Sequence, residues 1–166
     1  MLLKDKVAIV TGAGSEIGQG IAMRFATEGA KVVVAELDQR KAAATAAQIA
    51  ETTRSEALAI PTNVAQLQDV NAMVTKTLER FGRIDVLVNN AGICFASPIV
   101  EMSDEEWHNT LATNLTGRFF CLRRVASEMI NPPITANASP KSTCACPGSW
   151  RNGTNISRCR WRRSCT

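Results

Sequence analysis

The segment VAIVTGAGSEIGQG, residues 7–20, limits the possible folds most, because an apolar run gives way to glycines and then to a helical pattern. Its first four residues, Val7 to Val10, predict a strand buried on both faces, since parallel strands covered by helices show no polar side. Gly12 and Gly14 allow a tight turn and a close approach of a bound pyrophosphate, and Gly18 allows the helix to pack closely on the strand. The segment therefore predicts a turn that binds a dinucleotide, and an ordinary strand-to-helix turn is the alternative.

The residues after this turn supply the surroundings that dinucleotide binding requires. Residues 17–28 have the apolar spacing of a helix, which Gly29 ends, and residues 31–35 (KVVVA) predict a second buried strand. Glu36 stands at the end of that strand, where an acid accepts hydrogen bonds from the adenosine ribose and repels the 2′-phosphate of NADP. Glu36 therefore favours NAD over NADP, with Asp38 as the rival position.

Strands and helices continue to alternate along the chain. Helices are predicted over residues 39–53 and 66–81, and strands over residues 57–60 and 84–88. This alternation indicates a doubly wound α/β fold with a parallel sheet in the order 3-2-1-4. Ligands of such sheets bind beyond the carboxyl ends of the strands, so the residues that follow each strand form the candidate site.

Polar and small residues follow the third and fourth strands. Asn63 can hydrogen-bond an adenine edge, but asparagine is also a common turn residue that needs no ligand, and both interpretations stay open. After the fourth strand, Asn89-Asn90-Ala91-Gly92 joins two amides to two small residues. Such a segment can hold neighbouring loops and leave room for a flat ring near the main chain.

A second helical region begins at Ser103-Asp104-Glu105-Glu106, which has the sequence of a capping box. Apolar residues recur at helical spacing from Trp107 to Ile130, and Asn131-Pro132-Pro133 ends the helix because proline cannot continue it. His108 is the single histidine of the chain. No nucleophile or metal ligand recurs near His108 in sequence, so a catalytic role for it is disfavoured.

Residues 131–166 differ in composition from the rest of the chain. Residues 1–130 carry 13 Lys and Arg against 15 Asp and Glu, whereas residues 131–166 carry six Lys and Arg, no acid, and no Leu, Val or Phe. We expect residues 1–130 to form a partial dinucleotide-binding domain and residues 131–166 to be an unstructured basic tail, read out of frame from a longer gene. Nucleic-acid binding by this basic segment is a rival interpretation, disfavoured because a short basic run is more often a solvated end. A zinc site is also disfavoured, because its four cysteines lack paired CxxC spacing: Cys144, Cys146, Cys159 and Cys165.

The sequence indicates neither a membrane class nor a secretory route. Its apolar share of 45% and charged share of 20% are ordinary for a soluble protein. No apolar run approaches the roughly 20 residues of a spanning helix, and the N-terminal residues run directly into the first strand. We therefore expect a cytoplasmic protein without a membrane partner. A sheet that ends at its fourth strand leaves an apolar edge, so we also expect self-association or aggregation.

Three motifs occur in order along the chain. They are Thr11-Gly12-Ala13-Gly14-Ser15-Glu16-Ile17-Gly18, then Asn89-Asn90-Ala91-Gly92, then Asn114 within TNLTG. Together they resemble the N-terminal half of the short-chain dehydrogenase/reductase family, up to about residue 130. The resemblance implies a Rossmann fold and NAD(P)-dependent oxidation of an alcohol or reduction of a carbonyl, the substrates of the full-length family.

The resemblance also implies which residues contact the dinucleotide. It assigns the pyrophosphate to four residues of the glycine turn, namely Gly12, Ser15, Ile17 and Gly18. It assigns the ribose to Glu36 and the adenine to Asn63 and Val64. The nicotinamide side is assigned to Asn90, Ala91 and Gly92. Asn114 resembles the family's structural and proton-relay asparagine. We expect no metal site.

Two departures from the family pattern bear on activity. Glu16 stands where the family often has glycine, and a carboxylate that points toward a pyrophosphate opposes binding. The family's tyrosine, the lysine four residues after it and the serine that steadies the substrate oxygen have no counterpart, and the chain contains no tyrosine. General acid catalysis of this kind is worth about 10²–10⁴ in rate. We therefore expect a truncated member that binds cofactor without turnover on its own. The alternative is a non-enzymatic nucleotide-binding module whose tail binds nucleic acid or zinc.

Overall fold

The computed structural model describes residues 1–131, so the predictions of a basic tail, a zinc site and nucleic-acid binding lie outside the described residues. Four parallel strands form one sheet in the order β3-β2-β1-β4: β1 (Val7–Thr11), β2 (Lys31–Glu36), β3 (Ala57–Pro61) and β4 (Val86–Val88). Five helices accompany them: α1 (Glu16–Thr27), α2 (Gln39–Thr53), α3 (Leu67–Phe81), α4 (Asp104–Leu111) and α5 (Arg118–Ile130). The predicted fold class and strand order are confirmed.

Alternating side chains of the strands build two cores, one on each face of the sheet. Ile9 and Val33 belong to the core that α3 and α5 cover, together with Met73, Val74 and Val125. The other core joins the intervening strand residues to small residues of α1 and α2, namely Ala8, Val10, Val32, Val34, Ala22, Ala26, Ala42 and Ile49. Every residue of β1 is buried, as the apolar run predicts.

The predicted helix boundaries rest on local hydrogen bonds that the structure shows. Ser103 Oγ accepts from the Glu106 amide at 3.2 Å, and the Glu106 carboxylate accepts from the Ser103 amide at 2.9 Å, which completes the capping box before α4. Gly29 follows α1 with a φ of 89°, in the left-handed region that glycine adopts without strain. These caps explain why α1 ends, and α4 begins, close to the residues that the sequence indicates.

The fourth strand begins at Val86 and is shorter than predicted. The residue before it is joined to the start of β1 by a main-chain bond from the Asp85 amide to the Val7 carbonyl at 2.8 Å and by its own side chain. The Asp85 carboxylate accepts from the Val7 amide at 2.9 Å, from Arg83 Nε at 2.9 Å and from Lys6 Nζ at 3.3 Å. Burial alone raises the pKa of Asp85, but hydrogen bonds from Arg83, the Val7 amide and Lys6 outweigh it and hold that pKa below its ordinary value. Asp85 therefore fastens the start of β4 to the start of β1.

The long helix predicted up to Ile130 is interrupted by a π-helical segment, Ala112–Gly117. At its end, a Cβ on Gly117 would lie 2.9 Å from Val64 Cγ2 and 3.0 Å from the Val64 carbonyl oxygen. The helical region therefore packs against the loop after β3 at a distance that a side chain would prevent. Its apolar stripe is divided, since Val125 is buried whereas Leu115 is 64% exposed.

None of the helices within residues 1–131 combines the length and the apolar character needed to cross a bilayer.

Candidate functional site

A cleft of about 400 Å³ opens beyond the carboxyl ends of the four strands. Its volume lies within the range of roughly 300–1,000 Å³ that is usual for ligand sites. The lining residues come from the loops that follow the strands, the start of α1 and the π-helical segment: Gly12, Ser15, Glu16, Ile17, Gly18, Glu36, Leu37, Thr62, Asn63, Val64, Asn90, Ala91, Gly92, Ile93 and Thr113. All ten residues assigned to the cofactor by resemblance are therefore brought to one cleft.

The glycine turn after β1 places the start of α1 directly against the strand end. Gly12 has a φ of 65°, and a Cβ there would lie 2.9 Å from the Ala91 Cα. A Cβ on Gly18 would lie 2.0 Å from the Gly12 carbonyl oxygen, so any side chain would push α1 away from β1. These two glycines fix the backbone wall of the cleft, which agrees with the packing role that the sequence indicates for Gly18.

Gly14 makes a contact that the sequence did not indicate. It does not line the cleft, and a Cβ there would lie 2.5 Å from Glu36 Cγ. The Gly14 amide donates to Glu36 Oε2 at 3.0 Å. The missing side chain therefore makes room for the Glu36 carboxylate.

The start of α1 presents unpaired hydrogen-bond donors to the cleft. Ser15 is the N-cap residue, and its hydroxyl makes no capping bond. The first amides of a helix have no carbonyl partner within the helix, and they carry the positive end of its dipole. Because Ser15, Ile17 and Gly18 all line the cleft, this wall can bind an anion.

Of the two candidate acids at the end of the second strand, Glu36 lines the cleft and Asp38 does not. The Glu36 carboxylate accepts from the Gly14 amide and, at 2.9 Å, from the Leu37 amide. Asp38 caps α2 by accepting from the Arg40 and Lys41 amides at 2.8 and 3.3 Å. The hydrogen bonds from these two amides hold the pKa of Asp38 below its ordinary value. Asp38 thus has a structural partner, whereas Glu36 lines the cleft.

Asn63 forms a turn and also lines the cleft, so the two interpretations of this residue are compatible. Its Oδ1 accepts from the Ala65 amide at 3.0 Å, which is an Asx turn, and its own amide donates to Asp69 Oδ2 at 3.0 Å. Among residues 1–131, Nδ2 of Asn63 donates to no protein group. That amide remains available to a ligand.

Thr11 is the residue that sequence reasoning missed, since the sequence indicates it only as the first residue of the first motif. Its hydroxyl accepts from the Asn90 and Ala91 amides, both at 3.1 Å, and donates to the Val88 carbonyl at 3.2 Å. Asn90 Nδ2 in turn donates to the carbonyls of Thr11 and Gly12 at 3.1 and 3.2 Å. The ends of β1 and β4 are therefore joined by five hydrogen bonds behind the cleft.

Asn114 supports the cleft from the π-helical segment without lining it. Its Oδ1 accepts from the Ile93 amide at 2.9 Å and its Nδ2 donates to the Ile93 carbonyl at 2.7 Å. Both amide atoms are thus used to hold the loop after β4. His108 is exposed on α4 and does not line the cleft, in agreement with its lack of partners in sequence.

The charge of the cleft is negative. Two carboxylates, those of Glu16 and Glu36, line it, and no lysine or arginine does so in the described part of the chain. Glu16 has a φ of 51°, in the left-handed region that side chains disfavour. Within residues 1–131, no group of three or more His, Cys, Asp or Glu side chains is placed to hold a metal ion.

Comparison with known proteins gives consistent matches. The family model described as short chain dehydrogenase matches residues 6–136. A short chain dehydrogenase/reductase of Aspergillus oryzae is 46% identical over 129 residues, which are 77% of this chain and 49% of the relative. Galactitol 2-dehydrogenase of Agrobacterium fabrum is 39% identical over 130 residues, covering 78% and 49%.

A solved structure gives the same result. The crystal structure of a 3-ketoacyl-(acyl-carrier-protein) reductase from Brucella melitensis, described as complexed with NADH, matches with a TM-score of 0.71 and 37% identity. The match covers 75% of this chain and 50% of that one. The chain therefore spans about half the length of the relatives that it matches.

Proposed function

The chain belongs to the short-chain dehydrogenase family, and we propose that residues 1–130 bind NAD in the cleft beyond the carboxyl ends of the strands. One observation carries the proposal: the ten residues that the resemblance assigns to a cofactor come from the carboxyl ends of four strands and the start of α1, and they line a single cleft. The description of the Brucella structure as an NADH complex supports a nicotinamide dinucleotide as the ligand.

The donors and acceptors of the cleft fit the parts of a dinucleotide. The pyrophosphate would accept from the first amides of α1 and from the hydroxyl of Ser15, which makes no capping bond. Asn63 Nδ2 would donate to the adenine, with Val64 beside it. Two apolar side chains at the cleft, Ile17 and Leu37, are 73% and 69% exposed and would be covered by a ligand.

Glu36 supports NAD in preference to NADP. A carboxylate at this position accepts hydrogen bonds from the ribose hydroxyls, and it repels a 2′-phosphate. No lysine or arginine among the described lining residues can offset that repulsion. We therefore expect NADP to bind at least about tenfold more weakly than NAD, from repulsion at 4–6 Å in water and the lost ribose hydrogen bonds.

The main chain of the loop after β4 would hold the nicotinamide side. Thr11 fixes the amides of Asn90 and Ala91, and Asn114 fixes Ile93, so this wall is rigid before a ligand arrives. A bound nicotinamide supplies the hydride chemistry of the family. The residues of this chain would orient it.

We propose that the activity of the whole protein is NAD-dependent oxidation of an alcohol or reduction of a carbonyl. The relatives are named for different substrates, a sugar alcohol and a ketoacyl group, so their names support the reaction class and not one substrate. The printed sequence contains no tyrosine to move the proton, and both amide atoms of Asn114 are engaged by Ile93. This chain alone is therefore expected to bind the cofactor without turnover.

Calorimetric titration of the purified chain with NAD tests the proposal. Gly12→Trp should abolish binding, because even a Cβ at this position lies 2.9 Å from the Ala91 Cα. Gly20→Trp is the matched control, since a Cβ on this exposed residue of α1 has no neighbour within 4 Å. Circular dichroism would show whether each variant is folded.

A second pair of titrations tests the choice of cofactor. Glu36→Gln keeps an oxygen that can accept from the Gly14 amide but removes the charge, so the preference for NAD over NADP should decrease. Failure of the unmodified chain to bind NAD would refute the proposal. Steady NADH production by the homogeneous chain, with an alcohol as substrate, would refute the expected lack of turnover.

A further inference from the structure

We infer that Glu16 weakens the binding of ligand phosphates in the cleft and so sets its affinity for dinucleotides. The inference rests on the proposed binding of NAD. It identifies a residue outside the ten assigned ones whose side chain acts against the ligand.

The backbone places Glu16 where its side chain has no structural purpose. Glu16 is the first residue of α1, lines the cleft and is exposed to solvent. Its φ of 51° is unfavourable for a residue with a side chain, and the fold gains no hydrogen bond in return. Among residues 1–131, the Glu16 carboxylate makes no hydrogen bond and has no cation within 4 Å.

The Glu16 and Glu36 carboxylates differ in their hydrogen-bond partners. Three main-chain amides, those of Gly14, Leu37 and Asp38, donate to the Glu36 carboxylate. Among residues 1–131, the negative charge of Glu16 is balanced only by the positive end of α1. A pyrophosphate bound at the start of α1 would use the same positive end. Glu16 therefore competes with the phosphates for the helix dipole and also repels them directly.

The size of the effect follows from Coulomb's law. A carboxylate about 7 Å from a pyrophosphate with two charges weakens binding about fivefold at an ionic strength of about 0.01 M. At about 1 M, where the Debye length is about 3 Å, the factor approaches one. A ligand without phosphates carries no such charges, so Glu16 should not change its affinity.

Calorimetric titration of the full chain and of Glu16→Gln with NAD, ADP and adenosine tests the inference. Glutamine keeps the size and the strained φ of residue 16, so the comparison isolates the charge. Asp104→Asn is the matched control, because Asp104 is also an exposed acid at the first position of a helix but does not line the cleft. Glu16→Gly is a second variant that removes both the charge and the strain.

We expect Glu16→Gln to tighten the binding of NAD and ADP about fivefold at about 0.01 M salt, and to leave adenosine unchanged. Asp104→Asn should change none of the three. Equal tightening for adenosine, or no tightening for ADP in either Glu16 variant, would overturn the inference while NAD binding still stands. If neither the chain nor any variant binds NAD or ADP, the proposed function itself fails, and this inference fails with it.

Discussion

Replacing Thr11 with valine should destabilise the fold by about 3 kcal/mol, because the hydroxyl makes three hydrogen bonds that are each worth about 1 kcal/mol. Valine has nearly the shape of threonine, so the substitution removes the bonds without opening a cavity. Thr11 is only 1% exposed, so water cannot readily replace the lost hydroxyl. The Asn90 and Ala91 amides would lose their acceptor at the wall of the cleft.

Thr45 provides a control with the same substitution and the same burial. It is 0% exposed in α2, and its hydroxyl is the one buried side-chain oxygen or nitrogen in residues 1–131 without a hydrogen-bond partner. Thr45→Val should therefore change the stability by less than about 1 kcal/mol, and in the stabilising direction, because an unsatisfied polar group is removed.

Urea unfolding at 25 °C, followed by circular dichroism, measures both variants. A loss of about 3 kcal/mol corresponds to more than a hundredfold decrease in the folding equilibrium constant, against a total stability of roughly 5–15 kcal/mol. Thr11→Ser, which keeps the hydroxyl, should recover most of the loss. If Thr11→Val costs no more than Thr45→Val, the hydroxyl of Thr11 does not hold the two strand ends together.

Three further outcomes are expected. Because the pKa of Asp85 is lowered in the folded protein, its carboxylate stabilises the fold at pH values above its ordinary pKa of 3.8, and this contribution is lost as the pH falls through its folded-state pKa. In Asp85→Asn, stability should therefore depend less steeply on pH in acid unfolding experiments below about pH 4. Burial raises the pKa of the Cys121 thiol to about 11, so iodoacetamide at about pH 8 should label Cys94 and spare Cys121, as peptide mapping would show. Because Phe119 and Leu122 are 52% and 58% exposed on α5, we expect concentration-dependent self-association in sedimentation, which replacing both with serine should reduce.

The fold was predictable because its signals are local. Buried β-branched runs, glycine after α1 and the capping box at Ser103 each depend on neighbouring residues, and they define the alternating order of strands and helices. The boundary of β4 was not predictable in the same way. The chain enters that strand through hydrogen bonds between Asp85 and Val7, which lies 78 positions earlier in sequence.

The cleft was predictable for a similar reason, but the hydrogen bonds that hold its walls in place were not. Parallel strands bring their carboxyl ends to one edge of the sheet, so residues that follow the strands meet there whatever their separation in sequence. The supporting contacts join residues that no short pattern connects, such as Thr11 with Asn90 and Asn114 with Ile93. The contact between Gly14 and Glu36 was hidden in the same way, because Glu36 lies at the end of β2, 22 positions later in sequence.

Binding and turnover depend on different kinds of groups in this chain. The cleft is built largely from main-chain amides at strand ends and at the start of α1, and glycines at positions 12 and 18 make that geometry possible. Such groups carry no proton that can be transferred near neutral pH, so they hold a cofactor and orient it. Proton transfer requires a titratable side chain within hydrogen-bond reach of the reacting oxygen. The carboxylates of Glu16 and Glu36 are the acidic side chains at the described cleft, and that of Glu36 is bonded to main-chain amides. Under the proposed function, we therefore expect this cleft to bind a dinucleotide and the proton-transfer step to require a group that its described lining does not supply.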